Sequence, residues 1–369
     1  MTWISPNSGR PLHHDTPHSL TDGQFERWPV VEGIPYLRTS SEGLVARALH
    51  ELDSGAPDNA LIALLTDQDE WWSGPATDLG ELAQLVAKRD ILSLRQAMEL
   101  LRLGPVADYF AYRWSDPTYL AGLALLEAHW NAPSNAFELA AGIGHYARDL
   151  TRLGVECLCA DVVFAKCWLA KNWVAPDAQY VVFDAGDDWP IGGRQFDLVH
   201  CQDAFYFLPE QNRVADRLRR AVAPDGVLAV GHLHNTKVEG GAMGPAKTGK
   251  EWHNLFPGAM VYDERMLLDA MMGSVTPMPT DFSDDPTLEA WSIVEGGGAP
   301  RRLDGGLTVP GKTAALRRNP LLNANGNADW PSAKYEREYA SGCYFAMDDP
   351  PVPAPPERSR ALVDLPERW

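Results

Sequence analysis

Cysteine is scarce in the 369-residue chain and absent from its first 156 positions; the five present are Cys157, Cys159, Cys167, Cys201 and Cys343. The number is odd, and four lie in one stretch of strand and helix character, which is not how a secreted disulfide framework is built. Basic charge is also short. Lys and Arg number 32 against 50 Asp and Glu, a net charge of −18. Nucleic acid and anionic membrane surfaces require clustered cations, so neither is an expected partner. The start, MTWISPNSGRP, lacks a basic residue run followed by an apolar segment, so no signal peptide is expected. No apolar stretch approaches the ~18 residues of a membrane span. These absences leave a cytoplasmic enzyme acting on a small molecule as the expectation. What is present fits it: 45% apolar residues and 13 tryptophans, enough for sizeable cores, and a length that implies two or three domains.

Along the chain the texture changes three times. Residues 1–39 are punctuated by Pro and Gly, and Trp28 to Leu37 (WPVVEGIPYL) reads as a strand, a turn and an extended exit. Residues 40–130 read as a helical cap. Ser40 or Ser41 can cap a helix through Leu44, Val45, Ala48 and Leu49, a second helix begins near Asp58, and apolar periodicity covers 82–103 and 119–130. The phrase from Asp108 to Trp114 reads as part of a packed aromatic layer.

From residue 131 to 296, short apolar runs alternate with amphipathic helices, which predicts βαβ units and a doubly wound, mostly parallel Rossmann-like α/β sheet. Ligands of such sheets lie at the carboxyl ends of the strands. There the sequence places Glu138-Leu-Ala-Ala-Gly142-Ile-Gly144, then Asp161, then Asp184-Ala185, then Gln202-Asp203-Ala204-Phe205. Glu138, Asp161 and Asp184 follow at two intervals of 23 residues, each long enough for one helix and one strand. Gly142 and Gly144 admit close approach of the backbone to a ligand. Asp161 is placed to accept from ribose hydroxyls, and Asp184 from an adenine amino group. Gly142-x-Gly144-x-x-Ala147 also satisfies a loose dinucleotide fingerprint, but Glu138 would repel a pyrophosphate, whereas it suits a cationic ligand.

This set, with Phe196-Asp197-Leu-Val199 and Leu218-Arg-Arg-Ala-Val-Ala-Pro224-Asp225-Gly226, resembles the class I S-adenosylmethionine-dependent methyltransferase family over about residues 130–235. The resemblance implies a seven-stranded sheet and S-adenosyl-L-methionine as cofactor. It implies cofactor contacts from Glu138, Ala140, Gly142, Gly144, Asp161, Val162, Asp184, Ala185 and Gln202, with Gln202 near the methionyl end. Ala140 departs from the pattern, because a third glycine is common there. At the N-terminus, Ser5-Pro6-Asn7-Ser8 together with Gly33-Ile34-Pro35 resembles a zinc-ribbon-like module of the Trm112 type, with serines where that pattern has cysteines; a docking module without metal is the expectation.

Methyl transfer is an in-line displacement that positioning accelerates, and O or N nucleophiles also need a proton removed. Candidates at strand ends are His200, Asp203, Tyr206, His232 and His234, of which His200 also reads as packed. His232 and His234 alternate at the end of GVLAVGHLH, so one ring is expected on each side of the sheet. No metal-ligand set is read from the sequence; Cys157-x-Cys159 has no further ligands. Residues 236–262 are expected to form an active-site loop within the core, followed by a helix over 263–272 and a closing strand over 288–295.

Residues 297–369 form an extension with a local excess of basic residues over 301–340, a candidate lid or subunit contact, and a tail marked by Pro350, Pro351, Pro353, Pro355 and Pro356. A homodimer is compatible with these additions. The leading reading is methylation of an O, N or C nucleophile on a small metabolite; RNA methylation, a non-catalytic scaffold subunit and a nicotinamide-dependent oxidoreductase are the alternatives.

Overall fold

The computed structural model describes all residues except 1, 69–71, 73, 239–244, 284 and 348–353. Pro350, Pro351 and Pro353 of the proline-marked tail, and part of the expected 236–262 loop, therefore lie outside the described residues. Seven strands form the central sheet: β1 (Asn135–Leu139), β2 (Glu156–Asp161), β3 (Gln179–Val182), β4 (Phe196–Gln202), β5 (Val222–His234), β6 (Met260–Asp263) and β7 (Ala290–Gly296). Their order is β6-β7-β5-β4-β1-β2-β3. β2–β3 and β4–β5 are parallel, while β7 runs antiparallel to both β5 and β6. This is the expected Rossmann-like architecture, and it sets β1, β2 and β3, with their acids, side by side. Among the described residues no helix is long and apolar enough to cross a membrane.

The chain divides into two compact units that are not contiguous in sequence: residues 1–107 with 137–195 and 367–369, and residues 108–136 with 196–366. In the first unit, Trp3–Ile4, Pro11–Thr16, Ser19–Thr21, Arg27–Val31 and Ile34–Pro35 form an antiparallel meander in chain order. Glu32 and Gly33 close its last hairpin with φ of 47° and 74°. Two positive φ values in a two-residue loop are the primed turn that matches strand twist. Lys171 Nζ and the Trp168 indole donate to Glu32, to its carbonyl and its carboxylate, at 2.7 Å each. Tyr36 then bridges Val182 in parallel, and the Leu37 N–H donates to the Val182 carbonyl, covering the outer edge of β3. The Ser5 hydroxyl accepts from the N–H groups of Asn7 and Ser8 and donates to Glu26, so that hydroxyl organises the first turn.

The helices of this unit are Glu42–Asp53, Pro57–Leu65, Leu79–Lys88 and Leu94–Leu100. One expectation is corrected here. Ser41 stands at the first helix's N-cap, but neither it nor Ser40 makes a capping bond; a 3-10 turn over Thr39–Ser41 leads in instead. The periodicity over 82–103 is two helices, because Ser93 and Gln96 form a reciprocal capping box that restarts the chain.

In the second unit, Pro117–Ala128 is buried almost all round, and Gln211–Ala221, Gly249–Leu255 and Glu264–Gly273 accompany β4 to β7. The extension is fastened by Glu127, whose carboxylate accepts from the N–H groups of Gly305, Leu307 and Thr308 and from the Thr308 hydroxyl. Its helix Ala333–Tyr339 sets Tyr335 and Tyr339 against Tyr112 and Tyr109. Basic residues of the extension meet local acceptors: Arg302 pairs with Asp304, Lys334 with Glu338, and Arg318 donates to the carbonyls of Asn323 and Ala324.

Candidate active site

In the first unit the strand-end residues gather around one carboxylate. Asp161 closes β2, and its two oxygens accept from the N–H of Gly142 at 2.9 Å and of Val163 at 3.0 Å. Lys166 Nζ lies 3.6 Å away. The side chain thus ties the β1 loop to the β2 loop while retaining lone pairs on both oxygens for a further donor. The loop carries three successive left-handed bends, at Ala140, Gly142 and Gly144, with φ of 57°, 55° and 79°. Gly144 is crowded as well: a Cβ there would meet the Tyr180 hydroxyl at 3.0 Å. Ala140 therefore sits where an L-residue costs about 1–2 kcal/mol. Ala140→Gly is expected to raise stability by about 0.5–1 kcal/mol, read as a higher urea midpoint.

Glu138 is buried in β1 with the Cys159 thiol against its carboxylate at 3.8 Å. Burial and the Glu138 charge push that thiol up well above its usual range. All five cysteines are buried, and none is in a disulfide among the described residues. Val162 is half-buried between Asp161 and Val163. Asp184 follows β3 by two residues and accepts from Gly186 N–H at 2.8 Å, and the Ala185 carbonyl accepts from the Trp189 indole at 3.0 Å. The first unit thus joins Gly142 to Asp161 directly, whereas no direct bond joins Asp184 to that pair.

In the second unit the ends of β4 and β5 carry a denser polar group. Gln202 is buried, and neither its amide oxygen nor its amide nitrogen has a protein partner. A Cβ on Gly231 would lie 1.9 Å from the Gln202 Oε1, so glycine at 231 makes the room in which that amide lies. Asp203, at φ 53°, is gripped by the Tyr109 hydroxyl at 2.7 Å and by Arg113 Nη1 at 2.9 Å. Arg113 stacks on the Tyr109 ring at 4.5 Å. Burial would raise the Asp203 carboxyl, but the charges of His232 and Arg113 outweigh it and hold the group below its ordinary value.

His232 occupies an irregularity of β5, between Val230 and Leu233, at φ 55°. Glu264 spans it: one carboxylate oxygen accepts the His232 N–H and the other its Nδ1, both at 2.7 Å. Ser292 donates to the same carboxylate at 2.7 Å. Burial opposes a charge on His232, yet Glu264 and Asp203 prevail and push its pKa up to about 10. His234 donates from Nδ1 to the Glu289 carbonyl at 3.0 Å; burial, with the His232 charge, lowers its pKa. The two rings stack at 5.7 Å and 12°. They share one side of the sheet, contrary to the expectation of one on each, because strand residues two apart point the same way. The Tyr206 ring abuts both, at 5.9 and 5.8 Å. Burial and the Asp203 charge raise its phenol. His200 is fully buried, and burial lowers it to about 3, the state of a neutral core residue.

Asp203, Tyr206, His232 and His234 thus come together, as their place at strand ends implies. Sequence reasoning missed their supports: Tyr109, Arg113, Glu264, Ser292 and Glu289. The i,i+4 pairing of Tyr109 and Arg113, on one helical face inside a phrase read as packing, is the signal that could have found two of them.

Residues 137–230 match the family described as a methyltransferase domain. Among solved structures, similarity extends to a TehB-like SAM-dependent methyltransferase from Corynebacterium glutamicum, at 18% identity over 53% of this chain and 100% of that one, with a TM-score of 0.37. It extends to an S-adenosylmethionine-dependent methyltransferase from Mesorhizobium loti, at 20% identity over 31% of this chain and 52% of that one, TM-score 0.28. Phosphoethanolamine N-methyltransferase 2 from Haemonchus contortus, in complex with S-adenosyl-L-methionine, is similar at 16% identity over 55% of this chain and 59% of that one, TM-score 0.37. The chain thus spans about half the length of the Mesorhizobium protein. No curated protein sequence matches it. Residues 137–230, which run from β1 into β5, thus match a methyltransferase domain.

Proposed function

We propose that the chain transfers a methyl group from S-adenosylmethionine to an O or N nucleophile of a small metabolite, a C nucleophile being the third possibility. The observation that carries this reading is the unused polarity at the ends of β4 and β5. A buried amide with no partner is costly, and proteins leave one where a ligand completes it. Gln202 has both amide atoms in that state at the end of β4; Asp203 and Tyr206 follow it in the chain, and His232 and His234 end β5. Gln202 suits the methionyl end of the cofactor, because its amide offers a carbonyl to an ammonium and an NH2 to a carboxylate.

In the first unit, Asp161 would accept the ribose hydroxyls on its remaining lone pairs while it holds Gly142 and Val163. Glu138, Ala140, Gly142 and Gly144 would bracket the methionyl part, and Val162, Asp184 and Ala185 the adenine. Bound S-adenosylmethionine supplies a methyl carbon already activated by its sulfonium. The protein's task is then alignment of the acceptor. Asp203 is immobilised for that by Tyr109 and Arg113, and His232 by Glu264. With Nδ1 of each histidine donating to a protein acceptor, both present Nε2 to the acceptor side.

Calorimetric titration with S-adenosylhomocysteine, with NADH in parallel, tests the cofactor half. Binding of the first and not the second is expected. Asp161→Ala is expected to weaken it about 100-fold, the worth of one to two hydrogen bonds to a charged acceptor; unchanged affinity would refute the site. Methyl uptake by small acceptors, against none by RNA, tests the acceptor half.

A further inference from the structure

His232, His234 and Glu289 form a further group within the second unit. One ring nitrogen of each histidine and one Glu289 carboxylate oxygen all lie within 4.8 Å of one another. The hydrogen bonds around the rings decide which nitrogen each can offer to a metal. Glu264 can only accept from His232 Nδ1, at 2.7 Å, and the Glu289 backbone carbonyl can only accept from His234 Nδ1, at 3.0 Å. Each Nδ1 therefore carries a proton toward a protein acceptor, and Nε2 is the nitrogen from which each ring can ligate, His232 losing its Nε2 proton to solvent as the metal binds. Ligating histidines are oriented in this way, with the second nitrogen donating to a carboxylate or a backbone carbonyl. Here both forms of that support occur together. Glu264 is itself fixed by Ser292 and by the His232 N–H.

Charge points the same way. Asp203 Oδ1 faces His232 Nε2 at 3.8 Å, Glu264 lies behind the ring, and Glu289 stands in front of the pair. Three carboxylates thus converge, facing Arg113 on the Asp203 side and Arg265 on the Glu289 side. Glu289 is exposed whereas the histidines are buried, so the group is built on a rigid floor and open on one side. Two histidines and one carboxylate with an open side is the ligand set of a catalytic rather than a structural site.

We propose that His232 Nε2, His234 Nε2 and the Glu289 carboxylate bind a divalent transition-metal ion of the zinc, cobalt or iron(II) class, with Asp203 beside its open side. Metal–ligand distances of ~2.0–2.2 Å put any two ligand atoms within about 4.4 Å of each other, so a group spread over as much as 4.8 Å closes slightly around the ion, a movement the exposed Glu289 side chain supplies. Resting on the small-metabolite reading, the role that follows is coordination of an acceptor hydroxyl. The metal lowers the hydroxyl's pKa, and its proton passes to solvent or to Asp203 before the methyl is accepted. That favours an oxygen nucleophile with a second oxygen able to share the metal.

The test is titration of chelator-stripped full-length protein with Co²⁺, read as d–d absorption, and with Zn²⁺, read by calorimetry, with S-adenosylhomocysteine affinity measured on the same samples. Expected are one metal per chain, a visible spectrum of nitrogen–oxygen ligation, loss of both in His234→Ala and Glu289→Ala, and weakening of about 10–100-fold in Glu264→Gln, which touches only the support. Circular dichroism verifies that each variant is folded, and Glu289→Ala, at an exposed position, keeps the test decisive if the histidine variant is not. No stoichiometric metal, or metal binding that survives Glu289→Ala, overturns the proposal. Because homocysteine-product binding is read separately, its loss would refute the methyltransferase site and leave the metal result standing on its own.

Discussion

Replacing Arg113 by Met is expected to lower the free energy of unfolding by about 3–5 kcal/mol at pH 7.5, the usual consequence of removing one partner from a buried ion pair. Its side chain is 4% exposed, and Nη1 lies 2.9 Å from Asp203 and 3.9 Å from Asp116. Asp116 is completely buried. One of its oxygens accepts from Thr118 N–H and hydroxyl, and the other has no hydrogen-bond partner. Burial pushes Asp116 up to about 6, with Arg113 pulling down and the Asp203 charge pushing up. Without the guanidinium both carboxyls rise, Asp116 further above the ~3.9 of an unfolded Asp and Asp203 up from its depressed value. A raised acid pKa makes the folded state hold more protons than the unfolded one, so folding gains as pH falls between the two values. The deficit of Arg113→Met is thus expected to be largest near pH 7.5 and to shrink toward pH 5. Urea unfolding at the two pH values measures it; a loss under about 1 kcal/mol, or one that does not change with pH, would show that Arg113 does not neutralise this pair.

The parts of this arrangement that sequence made legible are those with local causes. Glu32-Gly33 between β-branched runs is a turn because two positive φ values are needed there, and the β1 loop is recognisable because glycines stand at two of its three left-handed positions. Acids separated by one helix and one strand fall on adjacent strands for the same reason. Glu264 was not legible, because a Glu in the first turn of a helix is ordinary helix chemistry; only the return of that helix beneath β5 gives it a histidine to hold. Tyr109 and Arg113 meet an aspartate about ninety positions later, and nothing near them in the chain announces it. The two histidines were legible as residues at a strand end, but their side of the sheet follows from the period-two pleat and the irregularity at Gly231–His232. The boundary near 130 marks where strands begin, whereas the compact units divide the chain at 108, 137, 196 and 367, because packing partners are chosen across sequence.

Glu127→Gln is expected to cost about 3 kcal/mol, and to cost it mainly through the extension. Hydrogen bonds to a charged acceptor are worth about 1.5–3 kcal/mol each and do not simply add. The buried Glu127 carboxylate receives four: Gly305 N–H at 2.7 Å, Leu307 N–H at 2.8 Å, Thr308 N–H at 2.7 Å and the Thr308 hydroxyl at 2.8 Å. An amide replaces one of the two accepting oxygens with a donor, which then confronts backbone donors. Burial alone would raise the Glu127 carboxyl, but these donors outweigh it and hold the group below its ordinary value. The sign follows from linkage. A depressed acid contributes stability that is fully present above the unfolded value of ~4.3, and that is lost as pH falls through the folded value. The gap between wild type and Glu127→Gln should therefore be constant from about pH 8 to 6 and narrow below about pH 4.5. Hydrogen exchange of a peptide covering 303–309 reports the local part. Its protection is expected to drop at neutral pH in the variant, while β1 and β2 keep theirs. Unchanged exchange there would mean that the extension is held by its tyrosines and its arginine–carbonyl contacts instead.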